Sequence, residues 1–330
     1  MIKRREFIET QLKLGLGFAL LAIPKKGFGF DLVNETNNNL FFKLSLAQWS
    51  FNKGIYSGNF NPYDFAKTAK ELGFSGLEYV NQLYSDVMDS RNKHQAIKNF
   101  IKKNNDEAQQ NNVENLLIMI DGEGDLATSN VRKRNTAIEN HKKWIDAASQ
   151  MGCHSVRVNL YGVEQKKKWM EYSSDSLTKL SEFSKDFNIN VIVENHGSLS
   201  SNAELLMQVI NNVNLKNCGT LPDFGNFCIK RVEGDLYESD CVKEYDRYKG
   251  IKEMMPKAFA VSAKSNSFNN KGDEVYTDYL KMLKIVKESG YNGYIGVEYE
   301  GIEYEGKKMN EVDGITATKN LLINKGKLIS

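Results

Sequence analysis

Residues 188–197 read NINVIVENHG, and within them Asn190–Glu194 (NVIVE) is a short apolar run that ends on a carboxylate. A Val/Ile-rich run of this length, without alternation, reads as a strand buried on both faces. Three later segments share the form: CGTLPD at 218–223, AFAVSAK at 258–264 and YIGVE at 294–298. Glu194, Asp223 and Glu298 close three of the four, whereas the remaining one carries Ser262 and Lys264. Buried parallel strands with polar groups at their C-terminal ends are what a barrel enzyme needs at its mouth.

Outward from that stretch the same unit recurs. Strands are predicted at Phe42–Trp49, Gly76–Val80, Asn115–Asp121 and Ser155–Leu160, with helices over Arg91–Asn104, Val131–Met151, Lys166–Asp186 and Ala203–Asn212. Further helices are predicted over Glu244–Met255, Tyr276–Ser289 and Val312–Ile323. Asn61 is a natural N-cap, Pro62 suits the first helical position, and Gly73 suits the left-handed position past the helix end. Eight strand–helix units predict an α/β fold, a single-domain (β/α)8 TIM barrel over residues 42–330. A doubly wound sheet fits less well, because Gln48-Trp49-Ser50 follows the first strand where a glycine-rich phosphate loop would be needed.

The chain has 330 residues, 41% of them hydrophobic and 26% charged, enough for a sizeable core. Its 44 basic and 42 acidic residues leave a net charge of +2, which offers no footprint for a nucleic acid. Cys153, Cys218, Cys228 and Cys241 show no C-x-x-C spacing. They read as free thiols, or as containing one pair if the compartment is oxidising. Lys3, Arg4 and Arg5 precede a short, glycine-broken apolar run, Leu14–Ile23. That pattern resembles a twin-arginine export signal over residues 1–30, followed by a polar linker at 31–41, and it predicts a periplasmic or exported protein. The alternative is an amphipathic extension on a cytoplasmic protein. The apolar run is too short for a comfortable membrane span, so no stable span is expected.

Strand ends supply the candidate chemistry: Trp49, Glu78, Asp121, Arg157, Asn159, Glu194, His196, Asp223, Asn226, Ser262, Lys264, Glu298 and Glu300. Ionised carboxylates in an apolar wall are costly unless a cation compensates them. A hard divalent ion held by Glu194, Asp223 and Glu298 would do so. Arg157 and Lys264 could instead form a structural ion-pair network.

Several pieces taken together, in order and spacing, resemble the xylose isomerase-like TIM-barrel superfamily of sugar phosphate isomerases and epimerases. They are GFSGLE at 73–78, GCHSVRVN at 152–159, VENHG at 193–197, PDFGN at 222–226 and GVEY at 296–299. The resemblance implies metal ligation by Glu194, Asp223 and Glu298. It also implies a histidine on the seventh barrel strand, where this chain has Ser262, and Asn226 stands where many relatives carry another histidine. With no imidazole in the set, Mg2+ or Mn2+ is favoured over Zn2+. The implied reaction is isomerisation or epimerisation of a small carbohydrate through an enediolate. Glu194 and Glu298 would exchange a proton beside the carbonyl, and Lys264 would neutralise oxyanion charge or form a salt bridge. Trp49, Glu78, Arg157, Asn159, His196 and Asn226 would bind substrate; Trp49 could equally be a core residue at the barrel mouth. The competing readings are a lyase or hydratase acting on a keto-sugar or oxidised glycoside, and a non-catalytic sugar-binding barrel. A nuclease of the same superfamily would need a histidine-rich site and a basic groove, and only His196 among four histidines is well placed. The oligomeric state is not legible in the sequence.

Overall fold

The strands form because Val, Ile and Leu fill them on both faces: Val191, Ile192 and Val193 are all fully buried. The computed structural model describes residues 40–237, 239–306 and 308–330. The segment read as an export signal lies outside the described residues, as does all but the end of the linker after it. The strands are β1 (Lys43–Ala47), β2 (Gly76–Val80), β3 (Glu114–Ile120), β4 (Ser155–Val158), β5 (Asn190–Glu194), β6 (Cys218–Leu221), β7 (Cys228–Arg231), β8 (Cys241–Glu244), β9 (Val261–Ser265) and β10 (Tyr294–Tyr299).

Eight of them form one parallel sheet in the order β6-β5-β4-β3-β2-β1-β10-β9. Isolated parallel bridges Thr220↔Ala258 and Asp223↔Ser262 join its two outer strands and close the barrel. The fold is therefore a (β/α)8 TIM barrel, as the strand–helix periodicity predicts. The helices are α1 (Asn52–Tyr56), α2 (Phe65–Glu71), α3 (Ser85–Met88), α4 (Lys93–Asn111), α5 (Val131–Gln150), α6 (Lys166–Ser184), α7 (Ala203–Val213), α8 (Arg247–Met254), α9 (Tyr279–Glu288) and α10 (Glu311–Lys327). Asn92, Asn130, Asn202, Asp246, Asp278 and Asn310 cap α4, α5, α7, α8, α9 and α10 through their side-chain oxygens. Asn61 caps a 3-10 turn ahead of α2, and Gly73 takes φ +78 after it, both as the sequence suggests.

The departures have local causes. The first strand stops at Ala47 because Gln48–Phe51 turns into a 3-10 helix. The helix predicted over 91–104 begins later, at the Asn92 cap, and runs on to a left-handed Asn112. Glu244 lies in a strand instead of a helix. There β7 and β8 form an antiparallel hairpin, inserted after β6 and closed by a Cys228–Cys241 disulfide. Cys153 and Cys218 remain buried free thiols.

One glycine is set by the barrel interior. Gly296 lies in register with Ser45 of β1 and Ser262 of β9, and a methyl there would stand 2.4–2.7 Å from the Glu78 carboxylate atoms. Glu78 is fully buried, so that carboxylate has little room to yield. Gly296→Ala is expected to destabilise the fold by about 1–3 kcal/mol. Urea unfolding reads this, and an unchanged midpoint would contradict it.

Candidate active site

Alternation along the strands aims a ring of polar side chains into the C-terminal mouth. Glu194 ends β5, Glu298 lies near the end of β10, and Asp223 follows β6 by two residues. Each offers a carboxylate oxygen, and the three oxygens lie within 4.8 Å of one another. Asp223 is held in place from behind. Its backbone N–H donates to Asn195 Oδ1 at 2.7 Å, and its Oδ1 accepts from the backbone N–H groups of Gly225 and Asn226 at 2.8 Å each.

Ser262 stands between two of these groups. Its Oγ is 2.7 Å from Asp223 Oδ2 and 3.1 Å from Glu298 Oε2. One hydroxyl proton cannot serve two ionised oxygens at once. Asn226 Nδ2 donates to Glu194 Oε1 at 3.0 Å. Arg157 Nε approaches Glu194 Oε2 to 2.9 Å, yet without hydrogen-bond alignment, so both atoms are buried with no hydrogen-bond partner.

Two cations serve this cluster. Arg157 also reaches Asp121 with two bonds, Nη1 to Oδ1 at 2.9 Å and Nη2 to Oδ2 at 3.3 Å. Lys264 Nζ is 3.0 Å from Glu298 Oε1 and 2.8 Å from Glu300 Oε1, so the salt bridge anticipated for it is present. Trp49 is joined to the cluster through Glu300, to which its Nε1 donates at 3.2 Å. Glu78 sits one layer deeper, where Ser45 Oγ donates to its Oε1 at 2.6 Å and its Oε2 has no partner.

The electrostatics show a surplus of negative charge. Burial would raise Asp121, but the Arg157 charge and the hydrogen bonds from Arg157 and Asn159 act together to hold the carboxyl below its usual range. Lys264 does the same for Glu300, again against the effect of burial. The remaining groups are not so compensated. Burial pushes Glu194 well above the usual carboxylate range, with Arg157 opposing and Glu298 and Asp223 adding to the rise. It pushes Asp223 up to about 6 despite Lys264, and Glu78 up to about 7 despite its bond from Ser45. A buried carboxylate group that two cations do not fully neutralise, with a Glu194 oxygen that accepts no hydrogen bond, fits a hard divalent cation. Glu194, Asp223 and Glu298 are the residues that would hold it.

His196 lies outside that triad. Its Nδ1 is 3.0 Å from Asn159 Oδ1, 2.6 Å from the Tyr161 hydroxyl and 3.2 Å from the Tyr237 hydroxyl. Burial, with Arg157 and Lys264 nearby, holds the imidazole down at about 3, which makes it neutral at ordinary pH. Asn159 turns its Nδ2 toward Asp121 Oδ1 at 2.6 Å. Tyr161 and Tyr237 are absent from the residues the sequence singles out. Tyr161 was legible, since Arg157, Asn159 and Tyr161 alternate on one face. Tyr237 sits in the hairpin loop and carried no such signal.

Among the described residues no helix is long and apolar enough to cross a membrane. The fold is shared with solved structures at low identity. A zinc-bound IolI protein superposes with a TM-score of 0.64 at 17% identity, covering 88% of this chain and 99% of that one. A D-tagatose 3-epimerase-like protein gives 0.63 at 16%, covering 87% and 98%. An L-ribulose 3-epimerase gives 0.64 at 12%, covering 87% and 95%. No protein of curated function matches the chain in sequence. The sequence profile of the xylose isomerase-like TIM barrel matches residues 66–320, and with the closed barrel and its strand-end carboxylates in place, the chain belongs to that family.

Proposed function

We propose that this barrel is a divalent-metal-dependent sugar isomerase or epimerase that moves a proton beside a carbonyl. The observation that carries the reading is the convergence of Glu194, Asp223 and Glu298 oxygens within 4.8 Å at the barrel mouth. Kinship in fold with structures described as sugar 3-epimerases supports the substrate class. A bound divalent ion would supply Lewis-acid polarisation of the sugar carbonyl. Glu194 and Glu298 would take the proton from the neighbouring carbon and return it, acting from the two sides of the substrate. Lys264, fixed between Glu298 and Glu300, would neutralise charge that develops on the substrate oxygen. Arg157 and Asn159 would orient hydroxyl groups, and Trp49 would stack on a sugar face.

The all-oxygen donor set favours Mg2+ or Mn2+ over Zn2+. Metal analysis of the purified protein, then a keto-sugar panel with Mn2+ restored, tests the reading; a protein that takes up no metal and turns over no sugar would refute it. Product analysis separates isomers from dehydrated products, and so an isomerase from a lyase. Protons compete with the metal for its ligands, and Asp223 holds its proton up to about pH 6. Mn2+ affinity is therefore expected to fall about tenfold or more per pH unit below that point. Calorimetric titration between pH 5 and 8 reads the slope, and a flat profile would count against the triad. Export remains part of the proposal. Its support is the twin-arginine-like sequence and the Cys228–Cys241 disulfide, since such bonds persist in oxidising compartments.

A further inference from the structure

The Cys228–Cys241 disulfide crosses the β7–β8 hairpin, tying the start of β7 to the loop end of β8, and the tip returns to the barrel mouth. The tip is internally ordered. Asp235 Oδ1 accepts from the Tyr237 backbone N–H at 2.8 Å, and Arg231 Nε donates to Leu236 O at 3.0 Å. Leu236 and Tyr237 pack over Gly197, where a methyl would meet each of them at 3.6 Å. The Tyr237 hydroxyl bonds the Tyr161 hydroxyl and lies beside His196 Nδ1.

Three oxygens, from Asn159, Tyr161 and Tyr237, thus crowd one ring nitrogen, which can make only one hydrogen bond at a time. The surplus donors and acceptors are available to a ligand entering the mouth. Both phenol rings are tilted against the imidazole, with centroids 6.1 Å (Tyr161) and 5.1 Å (Tyr237) from it, so apolar ring faces flank the polar atoms. Apolar faces beside paired hydroxyl partners match the C–H faces and hydroxyls of a sugar.

We propose that Tyr161 and Tyr237, gathered on His196, form a hydroxyl-binding subsite for the sugar at the barrel mouth, and that the disulfide positions Tyr237 there. This rests on the sugar-directed reading above and adds which residues select the substrate and what holds them. The test is a tryptophan-fluorescence titration of the full chain, loaded with Mn2+, against a ketohexose panel. Tyr237→Phe is expected to weaken sugar binding about tenfold, the loss of one hydrogen bond to the ligand. The Cys228→Ser/Cys241→Ser protein is expected to show a similar loss, and adding Tyr237→Phe to it should cost nothing further, because both changes remove one interaction. Mn2+ affinity should stay within about twofold throughout, since no carboxylate is touched. Tyr237→Phe binding as tightly as the parent, or losses that multiply, would overturn the subsite alone. A parent protein that takes up Mn2+ but binds no sugar would overturn the sugar reading and the subsite with it.

Discussion

Glu194→Gln is expected to lower turnover at least about a thousandfold while leaving the barrel folded. The substitution keeps the shape of the side chain, and the amide oxygen can still accept from Asn226 Nδ2, the partner of Oε1. It removes the charge that a cation and a proton acceptor both need. The fold survives because Arg157 is not stranded: its two bonds to Asp121 remain. Glu194 itself gains little from being ionised in its buried position, where Glu298 and Asp223 repel it. Circular dichroism should therefore match the parent, and Mn2+ titration should show weakened uptake. Retained full activity would remove Glu194 from the chemistry and with it the proton-transfer scheme. Glu298→Gln offers the complementary measurement. If the two glutamates act from opposite sides, that variant should still exchange one substrate C–H with deuterated solvent while failing to interconvert the epimers.

The barrel was legible because buried parallel strands announce themselves as short apolar runs. GLEYV, with predicted and observed bounds both at Gly76–Val80, is the clearest case. The carboxylates were legible because they interrupt such runs at their ends, where an apolar wall gives way to the mouth. The network around them was not. Arg157 is in register with Met119 and Ile192, and Asp121 and Glu194 each lie two residues further on, on the same inward face. That makes Arg157 a bridge between neighbouring strands, but the relation depends on register, which no single strand encodes. The hairpin escaped for a different reason. Every residue of β8 is exposed, and both hairpin strands carry lysine, so no buried pattern marks them. Nor does a separation of 13 residues single out Cys228 and Cys241 from the other cysteines.

Lys264→Met is expected to destabilise the metal-free protein by about 3–5 kcal/mol, the cost of leaving a buried carboxylate without its counter-charge. Lys264 is almost wholly buried, and its ammonium is shared by Glu298 and Glu300. Burial alone would lower its pKa, yet those two carboxylates hold it well above the usual lysine value, so the charge is kept. Methionine matches the length of the side chain and fills the space beside Gly225 that the lysine methylenes occupy, which confines the loss mainly to charge. Glu298 would then retain only the shared proton of Ser262 Oγ. The second half of the prediction follows from the charge surplus. A divalent cation bound by Glu194, Asp223 and Glu298 would replace part of the missing positive charge. Mn2+ at about 100 times its Kd returns about 2.7 kcal/mol by mass action in either protein. The variant should gain more than the parent at equal Mn2+, because its Glu298 is free of competition from the ammonium. Thermal unfolding with and without chelator measures both halves. A variant as stable as the parent in chelator would show that the Lys264 pair carries little of the fold. A variant deaf to Mn2+ while the parent responds would make Lys264 a support of the metal site, not a competitor for its charge.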